Sequence, residues 1–567
     1  MSTKSHLDEL SPYAARPWGA LYEANQEGGV PKASNIVSIF KKSVRSAAAQ
    51  PAVIYFDQKI SYAELDASSD AFATALADEG FGQGDRLALY LQNTPAFVIA
   101  ALAAWKLGGI VVTVNPMNTA RELALILDDS LPKALVCQDE LYRDVVSGLR
   151  RTLPAVFTTS AFDFQSRNDR RIFGGLSRGK VASNLIQLIE ARKGRSATII
   201  EPAASDLAML VYTSGTTGVP KGSMNTHGGA VITAESIARW MHVETGTPVL
   251  GVAPLFHITG LIAGLALALV RAAPLILTYR FHPNVTADAI EEHGAGVAFC
   301  AITALMAMLN EGTVRADQLK SLTTICSGGA PVPAQVLRDF KAKFGHYIYH
   351  GYGMTETNGP VVLVPADREA PIDELTGTLS IGVPTPHTQA WIADENGAPA
   401  AIGEQGEIII NGSSLSAGYW NNPEDTAKTM QPDGLRSGDI GFMDANGWFY
   451  LVDRKKDMIN AGGYKVWPRE VEDVLYTHPA VREVAVVGTP DSYRGETVRA
   501  VISLKHGQHA TMDELQEFCR QRMAAYKYPR IIEIVEELPK NSSGKILRRA
   551  LRDAFSAGQA APAPKIG

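Results

Sequence analysis

Arg86-Leu-Ala-Leu-Tyr-Leu91, the stretch Pro95–Leu107, and Ile110-Val-Val-Thr-Val114 decide the fold class. A short apolar run, a longer amphipathic stretch and a second apolar run read as strand, helix, strand, the rhythm of a parallel βαβ unit. The rhythm recurs at Pro248–Ala253, at Gly296–Ala301 and at Leu322–Ser327, the last followed by a helix over Pro333–Phe344. Farther on, Trp391–Ala393 and Glu407–Asn411 read as short strands between turns at Glu395-Asn-Gly and Asn411-Gly. Asp444-Ala-Asn-Gly447 then reads as a hairpin turn before a strand at Trp448–Val452. Past the charged segment Asp453-Arg-Lys-Lys-Asp457 the pattern restarts: helix Pro468–Tyr476, strands Val481–Val487 and Val498–Leu504, helix Met512–Arg522, strand Arg530–Val535. The expected fold is α/β. A large N-terminal domain (residues 1–455) holds parallel-type sheets and a late β-rich portion. A small α+β C-terminal domain (456–567) follows a hinge in the charged segment.

Composition narrows the function classes. A chain of 567 residues allows about three or four compact units at roughly 150 residues each. With 46% hydrophobic and 20% charged residues it sits at the soluble globular average, and a formal charge of −6 gives no basic field for nucleic acid. Cys137, Cys300, Cys326 and Cys519 lie too far apart for a zinc ribbon and suit a reducing compartment. Met1–Leu10 lacks the apolar stretch of a secretory signal. The runs Ala96–Trp105 and Gly260–Val270 fall short of the roughly 20 residues a bilayer demands and read as buried helices. The expected location is cytoplasmic. The basic segment Phe162–Ser196 reads first as a solvated surface excursion, and secondly as a patch for an anionic membrane surface. The Ala/Pro/Gly-rich tail from Ser556 is expected to fray.

The strongest chemical signal is Tyr212-Thr-Ser-Gly-Thr-Thr-Gly-Val-Pro-Lys-Gly222, directly after the apolar run Leu207–Val211. A strand running into hydroxyls and glycines offers backbone N–H groups and side-chain donors to an anion, and Lys221 adds positive charge at the far end. It is a phosphate loop but not a Walker A loop, because Lys221 stands between Pro220 and Gly222.

Here the sequence resembles the AMP-forming acyl-adenylate synthetases, the superfamily of acyl-CoA synthetases, peptide-synthetase adenylation domains and firefly luciferases. Further matches follow in order: Gly351-Tyr-Gly-Met-Thr-Glu356, Ser437-Gly-Asp-Ile-Gly441, Asp453-Arg-Lys-Lys-Asp-Met-Ile459, Gly462-Gly-Tyr-Lys-Val-Trp-Pro-Arg-Glu-Val-Glu472 and Pro539-Lys-Asn-Ser-Ser-Gly-Lys-Ile546. The resemblance spans about residues 35 to 553 and is closest to bacterial fatty acyl-CoA ligases. It implies an acid–thiol ligase that activates a carboxylic acid with ATP, releasing pyrophosphate, then transfers the acyl group to CoA, releasing AMP. It also implies that the small domain is a mobile lid pivoting at Lys456. Nucleotide contacts are implied for Thr213, Ser214, Gly215, Thr216, Thr217, Lys221, Gly328, Gly329, Ala330, Gly351, Tyr352, Gly353, Thr355, Asp439, Arg454 and Lys545.

Physical chemistry supports these assignments one by one. A Glu356 carboxylate beside a triphosphate suits Mg2+, which prefers oxygen donors, and Thr213 by resemblance lies close to the same ion. Asp439 in a tight turn can accept both ribose hydroxyls, and Arg454 offers a planar fork to ribose and phosphate oxygens. Lys545 matches the catalytic lysine; with Lys221 and Mg2+ it would neutralise the charge that builds when a carboxylate attacks an α-phosphate. Gly462 and Gly463 leave room for a pantetheine arm, with Tyr464 beside them. His257 matches the acyl-pocket entrance, and Thr259, Ile302, Thr303, Gly351, Pro360 and Val361 complete the implied pocket.

Two positions depart from the common pattern: many relatives carry Pro-Thr at Ile302-Thr303 and Gln at His350. The implied partners are a carboxylic acid, ATP and CoA, with no nucleic acid; peripheral membrane contact and a homodimer stay open. The competing readings are an aryl or phenylpropanoid acid–CoA ligase and a stand-alone enzyme loading a carrier protein. The pocket positions contain no Phe, Tyr or Trp, which favours a medium- or long-chain aliphatic acid over a flat ring.

Overall fold

The computed structural model describes residues 11–22, 34–150, 154–179, 183–213, 220–374, 376–491, 494–541 and 544–556, together with 559 and 561. The opening stretch forms a strand Arg86–Tyr90, a helix Pro95–Lys106 and a strand Ile110–Val114, the two strands paired in parallel. The helix differs from its sequence reading in one respect: it is buried on every side rather than amphipathic. Its one charge, Lys106, is fully enclosed and pairs with Asp66 (2.7 Å) and Asp70 (2.6 Å) on the neighbouring helix Tyr62–Asp78. A buried lysine has to be paired in this way, because an isolated charge there is prohibitive. The run from Gly260 begins as a wholly buried π-helix, Gly260–Ala266, continuing as Leu267–Val270.

Around this unit lies a six-stranded sheet in the order 155–159, 134–138, 86–90, 110–114, 207–213, 221–226, parallel except for its last pair. A second, fourteen-stranded sheet is parallel through Val249–Leu250, Val297–Cys300, Thr324–Ser327 and Ile348–Met354. It turns antiparallel from Gly359–Leu363 onward. The late β-rich portion is therefore the continuation of the same sheet, reaching Thr388–Ala393 at its edge. The turn at Asp444 joins Gly434–Met443 to Phe449–Arg454 in antiparallel register.

The smaller C-terminal domain has a five-stranded sheet of its own. Gly495–Leu504 pairs antiparallel with Val481–Asp491 and parallel with Ile531–Val535, and helices Pro468–Tyr476 and Met512–Arg520 accompany the sheet. Val471, Leu475, Val484, Val486, Ala500, Ile502 and Leu515 form its core. The sequence reading missed the hairpin Ile459–Ala461/Tyr464–Val466, whose strands are only three residues each. In the basic segment, Arg167, Arg171, Arg178 and Arg192 pair with Glu292, Asp169, Asp163 and Asp78, so much of its charge is answered internally. All four cysteines are buried thiols. Among the described residues no helix is long and apolar enough to cross a membrane.

Candidate active site

Strands Leu207–Thr213 and Lys221–Thr226 pair antiparallel, placing Thr213 opposite Lys221 at the mouth of the phosphate loop. Ser214, Gly215, Thr216 and Thr217 lie outside the described residues. The Lys221 ammonium meets Asp425 Oδ2 at 2.6 Å and stands 5.4 Å from the centre of the Tyr419 ring. Asp425 occupies the first turn of helix Pro423–Thr429, capped by Asn422. The Tyr419 hydroxyl donates to Glu356 Oε1 at 2.5 Å. Burial, reinforced by that carboxylate, pushes the Tyr419 phenol far above its ordinary range, so it stays a donor.

Glu356 itself is buried, on the single turn Thr355–Thr357 that follows strand Ile348–Met354. The turn is tied down from both sides. Asn225 Nδ2 donates to the Thr355 carbonyl at 2.8 Å, and the Ser416 N–H donates to the Glu356 carbonyl at 2.7 Å. Asn358 closes it in the left-handed conformation (φ 58°), its amide donating to Ser414 O at 2.7 Å. Among the described residues no cluster of three or more His, Cys, Asp or Glu could cage a metal. A lone buried carboxylate suits Mg2+, which takes few protein ligands and completes its shell with water and substrate phosphates.

Asp439 and Arg454 face each other across the hairpin, with Arg454 Nε 3.2 Å from Asp439 Oδ1. Asp439 Oδ2 accepts the Tyr352 hydroxyl at 2.7 Å. A carboxylate has about four acceptor sites, so capacity remains for ligand hydroxyls. Gly351 and Gly353 have an internal reason to be glycine. A Cβ would lie 2.2 Å from Leu363 Cδ2 at the first and 2.0 Å from the Gly359 carbonyl at the second. Gly328 lies against the Gly351 carbonyl, and Gly329, exposed with φ 80°, turns the chain into Ala330.

Lys545 comes from the small domain into this group. Burial, together with the charge of Arg454, brings its ammonium down to about 8, partly offset by Asp439. The loop closes on itself through Lys545 N–H to Asn541 Oδ1 (2.8 Å) and Asn541 N–H to the Lys545 carbonyl (2.9 Å). Three residues later, Arg548 reaches Asp453 Oδ1 at 3.1 Å and forks onto Glu472, anchoring the loop beside Arg454. Gly544 (φ 81°) rests on Thr303, where a Cβ would lie 2.2 Å from Oγ1.

Among the expected acyl-pocket residues, His257 sits close enough to Lys545 to feel its charge. Burial, with Lys545 second, holds its imidazole down at about 4 and therefore neutral. Thr259 donates its N–H to His257 Nδ1 at 3.4 Å. Ile302 and Val361 are 3% and 1% exposed and belong to two different apolar cores, while Pro360, half-buried, precedes Val361 on strand Gly359–Leu363. His350 is held by Ser380 O at 2.6 Å, in the sheet rather than at the phosphates.

Gly462, Gly463 and Tyr464 lie apart from these residues, at the tip of the small-domain hairpin. Nothing would meet a Cβ at Gly463 within 4 Å, and Tyr464 is 59% exposed, stacked on Tyr526. The reading of motifs missed Asn225, Asn358, Tyr419 and Asp425. Only the helix-capping pattern Asn422-Pro423-Glu424-Asp425 was visible in the sequence, and it says nothing about Lys221.

The family model described as "AMP-binding enzyme" matches residues 40–420, and "AMP-binding enzyme C-terminal domain" matches 470–545. A long-chain-fatty-acid–CoA ligase of Bacillus subtilis is 35% identical over 94% of this chain and 97% of its own. A feruloyl-CoA synthase of Amycolatopsis is 33% identical over 90% and 98%. Among solved structures, the anthranilate CoA ligase AuaEII in complex with anthranoyl-AMP superposes with a TM-score of 0.82 at 26% identity, covering 94% of this chain and 99% of its own.

Proposed function

The chain belongs to the AMP-binding enzymes, and on that premise we propose that it is a fatty acid–CoA ligase working through an acyl-adenylate. The observation that carries the reading is the convergence of Lys545, Arg454 and Asp439, with His257 at the acyl side. A carboxylate oxygen attacks the α-phosphorus of ATP and the bond from that phosphorus to the bridging oxygen breaks, releasing pyrophosphate. Lys545, protonated below about pH 8, lies where α-phosphate charge would build. Lys221 meets the outgoing phosphates, exchanging Asp425 for them. Asp439 and Arg454 hold the ribose. Glu356 and Thr213 would hold Mg2+, which would supply charge neutralisation to the polyphosphate. In the second half-reaction the CoA sulfur, giving up its proton, attacks the acyl carbonyl and AMP leaves.

That second step uses a different face of the small domain. Lys545 is half-buried at the site while the hairpin tip of Gly462, Gly463 and Tyr464 is exposed. Rotation about Lys456, at the junction of residues 1–455 with 456–567, would exchange them. Gly463→Leu is expected to leave pyrophosphate release within about twofold while slowing thioester formation at least about tenfold, by filling the path of a narrow arm. Because Gly463 has φ 90°, Gly463→Ala serves as the control that carries backbone strain without bulk. Equal loss of both steps in the two variants marks Gly463 as a structural turn.

The acid is an aliphatic chain on this reading, since no Phe, Tyr or Trp stands among the pocket positions. Each methylene buried adds up to about 0.8 kcal/mol, about fourfold in kcat/KM. A panel from acetate through octanoate to dodecanoate, with benzoate and ferulate, is therefore expected to rise with chain length and to leave the aromatic acids behind. A panel led by benzoate or ferulate overturns the choice of substrate, and pyrophosphate release with no CoA thioester for any acid overturns the ligase reading.

A further inference from the structure

Tyr419 touches both charged groups that face the polyphosphate: its ring lies under the Lys221 ammonium and its hydroxyl holds Glu356. An ammonium and a carboxylate that share one neighbouring side chain attract each other. In the structure they do not pair: Lys221 pairs with Asp425 and Glu356 with the phenol. The segment carrying Tyr419 is locked to strand Lys221–Thr226 by the backbone. Met224 N–H donates to Gly418 O (2.9 Å), Ala417 N–H to Met224 O (2.8 Å) and Trp420 N–H to Gly222 O (2.8 Å). On its outer side Asp129 accepts from Trp420 Nε1 through its carbonyl (3.2 Å) and from Tyr212 through its carboxylate (2.6 Å).

We propose that Tyr419 is a positioning residue that keeps the polyphosphate cation Lys221 and the metal-binding carboxylate Glu356 apart. Asp425 serves as the resting counter-ion of Lys221. The inference rests on the reading of Lys221 and Glu356 given above. Without the ring and the hydroxyl, the two charges pair with one another, and ATP with its metal has to break that pair before binding. AMP, which ends at the α-phosphate, does not.

The test is equilibrium binding of ATP with Mg2+, and separately of AMP, by isothermal titration calorimetry on the full chain without acid substrate. Tyr419→Ala is expected to weaken binding of ATP with Mg2+ by about tenfold or more and AMP by less than about twofold. Tyr419→Phe keeps the ring and is read alone if the alanine variant fails to fold; it is expected to weaken ATP with Mg2+ by about threefold and to leave AMP unchanged. Parallel loss for both nucleotides, or no loss for either, overturns the proposal. Lys221→Met separates the two layers. If it leaves the ratio of ATP to AMP affinity unchanged, the assignment of Lys221 fails, whatever Tyr419 does.

Discussion

Lys545→Ala is expected to lower the rate of acyl-adenylate formation by roughly 10²-fold or more, the scale of a charge contact made in the transition state. Thioester formation from a preformed acyl-adenylate should largely survive. The expectation follows from placement: this half-buried lysine feels the charges of Arg454 and Asp439 and is felt by His257, and its loop is anchored to Asp453 through Arg548. The same group is expected to set the alkaline limb of the first half-reaction. Its pKa is lowered to about 8, chiefly by burial and by Arg454. The charged form is therefore complete well below pH 8, and adenylation in the parent falls as pH rises through that value. Pyrophosphate release and single-turnover thioester formation, measured separately across pH 6 to 10 (roughly the span that brackets an amine titrating near 8), check both statements. Equal loss of the two half-reactions in Lys545→Ala would remove the argument for a rotating small domain.

Asp439→Asn is expected to be the next most damaging change, costing about 10- to 100-fold in kcat/KM for ATP, the worth of a hydrogen bond to a charged group at about 1.5–3 kcal/mol. The substitution keeps the shape but leaves Arg454 without its counter-charge and Tyr352 with a weaker acceptor. Because the ribose is common to ATP and AMP, affinity for both nucleotides should fall together, unlike the pattern expected at Tyr419. Fluorescence or calorimetric titration with each nucleotide checks it; loss for ATP alone would move Asp439 from the ribose to the phosphates.

How much of this was legible in the sequence depends on how local each feature is. The βαβ rhythm, the hairpin at Asp444 and the small α+β unit are set by periodicity and turn residues within a dozen or so positions, and they are present where expected. The register of the hairpin was not legible. A bulge between Ile440 and Gly441 shifts the pairing by one, and only that shift puts Asp439 opposite Arg454. Gly441 was the available hint, since an interior strand glycine often marks a bulge; a Cβ there would lie 2.4 Å from Tyr450 O. Helix Pro95–Lys106 misled in the other direction, because Lys106 imitates a polar face while being buried against two aspartates. Tyr419 and Asp425 reach Lys221 across about two hundred residues of chain, a long-range pairing that no local pattern encodes.

The seat of Gly544 on Thr303 joins the small domain to helix Ile302–Asn310 of the large one, one residue before Lys545. On the proposed reading, in which Thr303 lines the acid's chamber and Lys545 meets the reacting phosphate, an acid that pushes Thr303 outward is expected to lift the lysine as well. Such an acid would be penalised in occupancy and again in the frequency with which the lid can settle, so discrimination between acids would fall on turnover as well as on affinity.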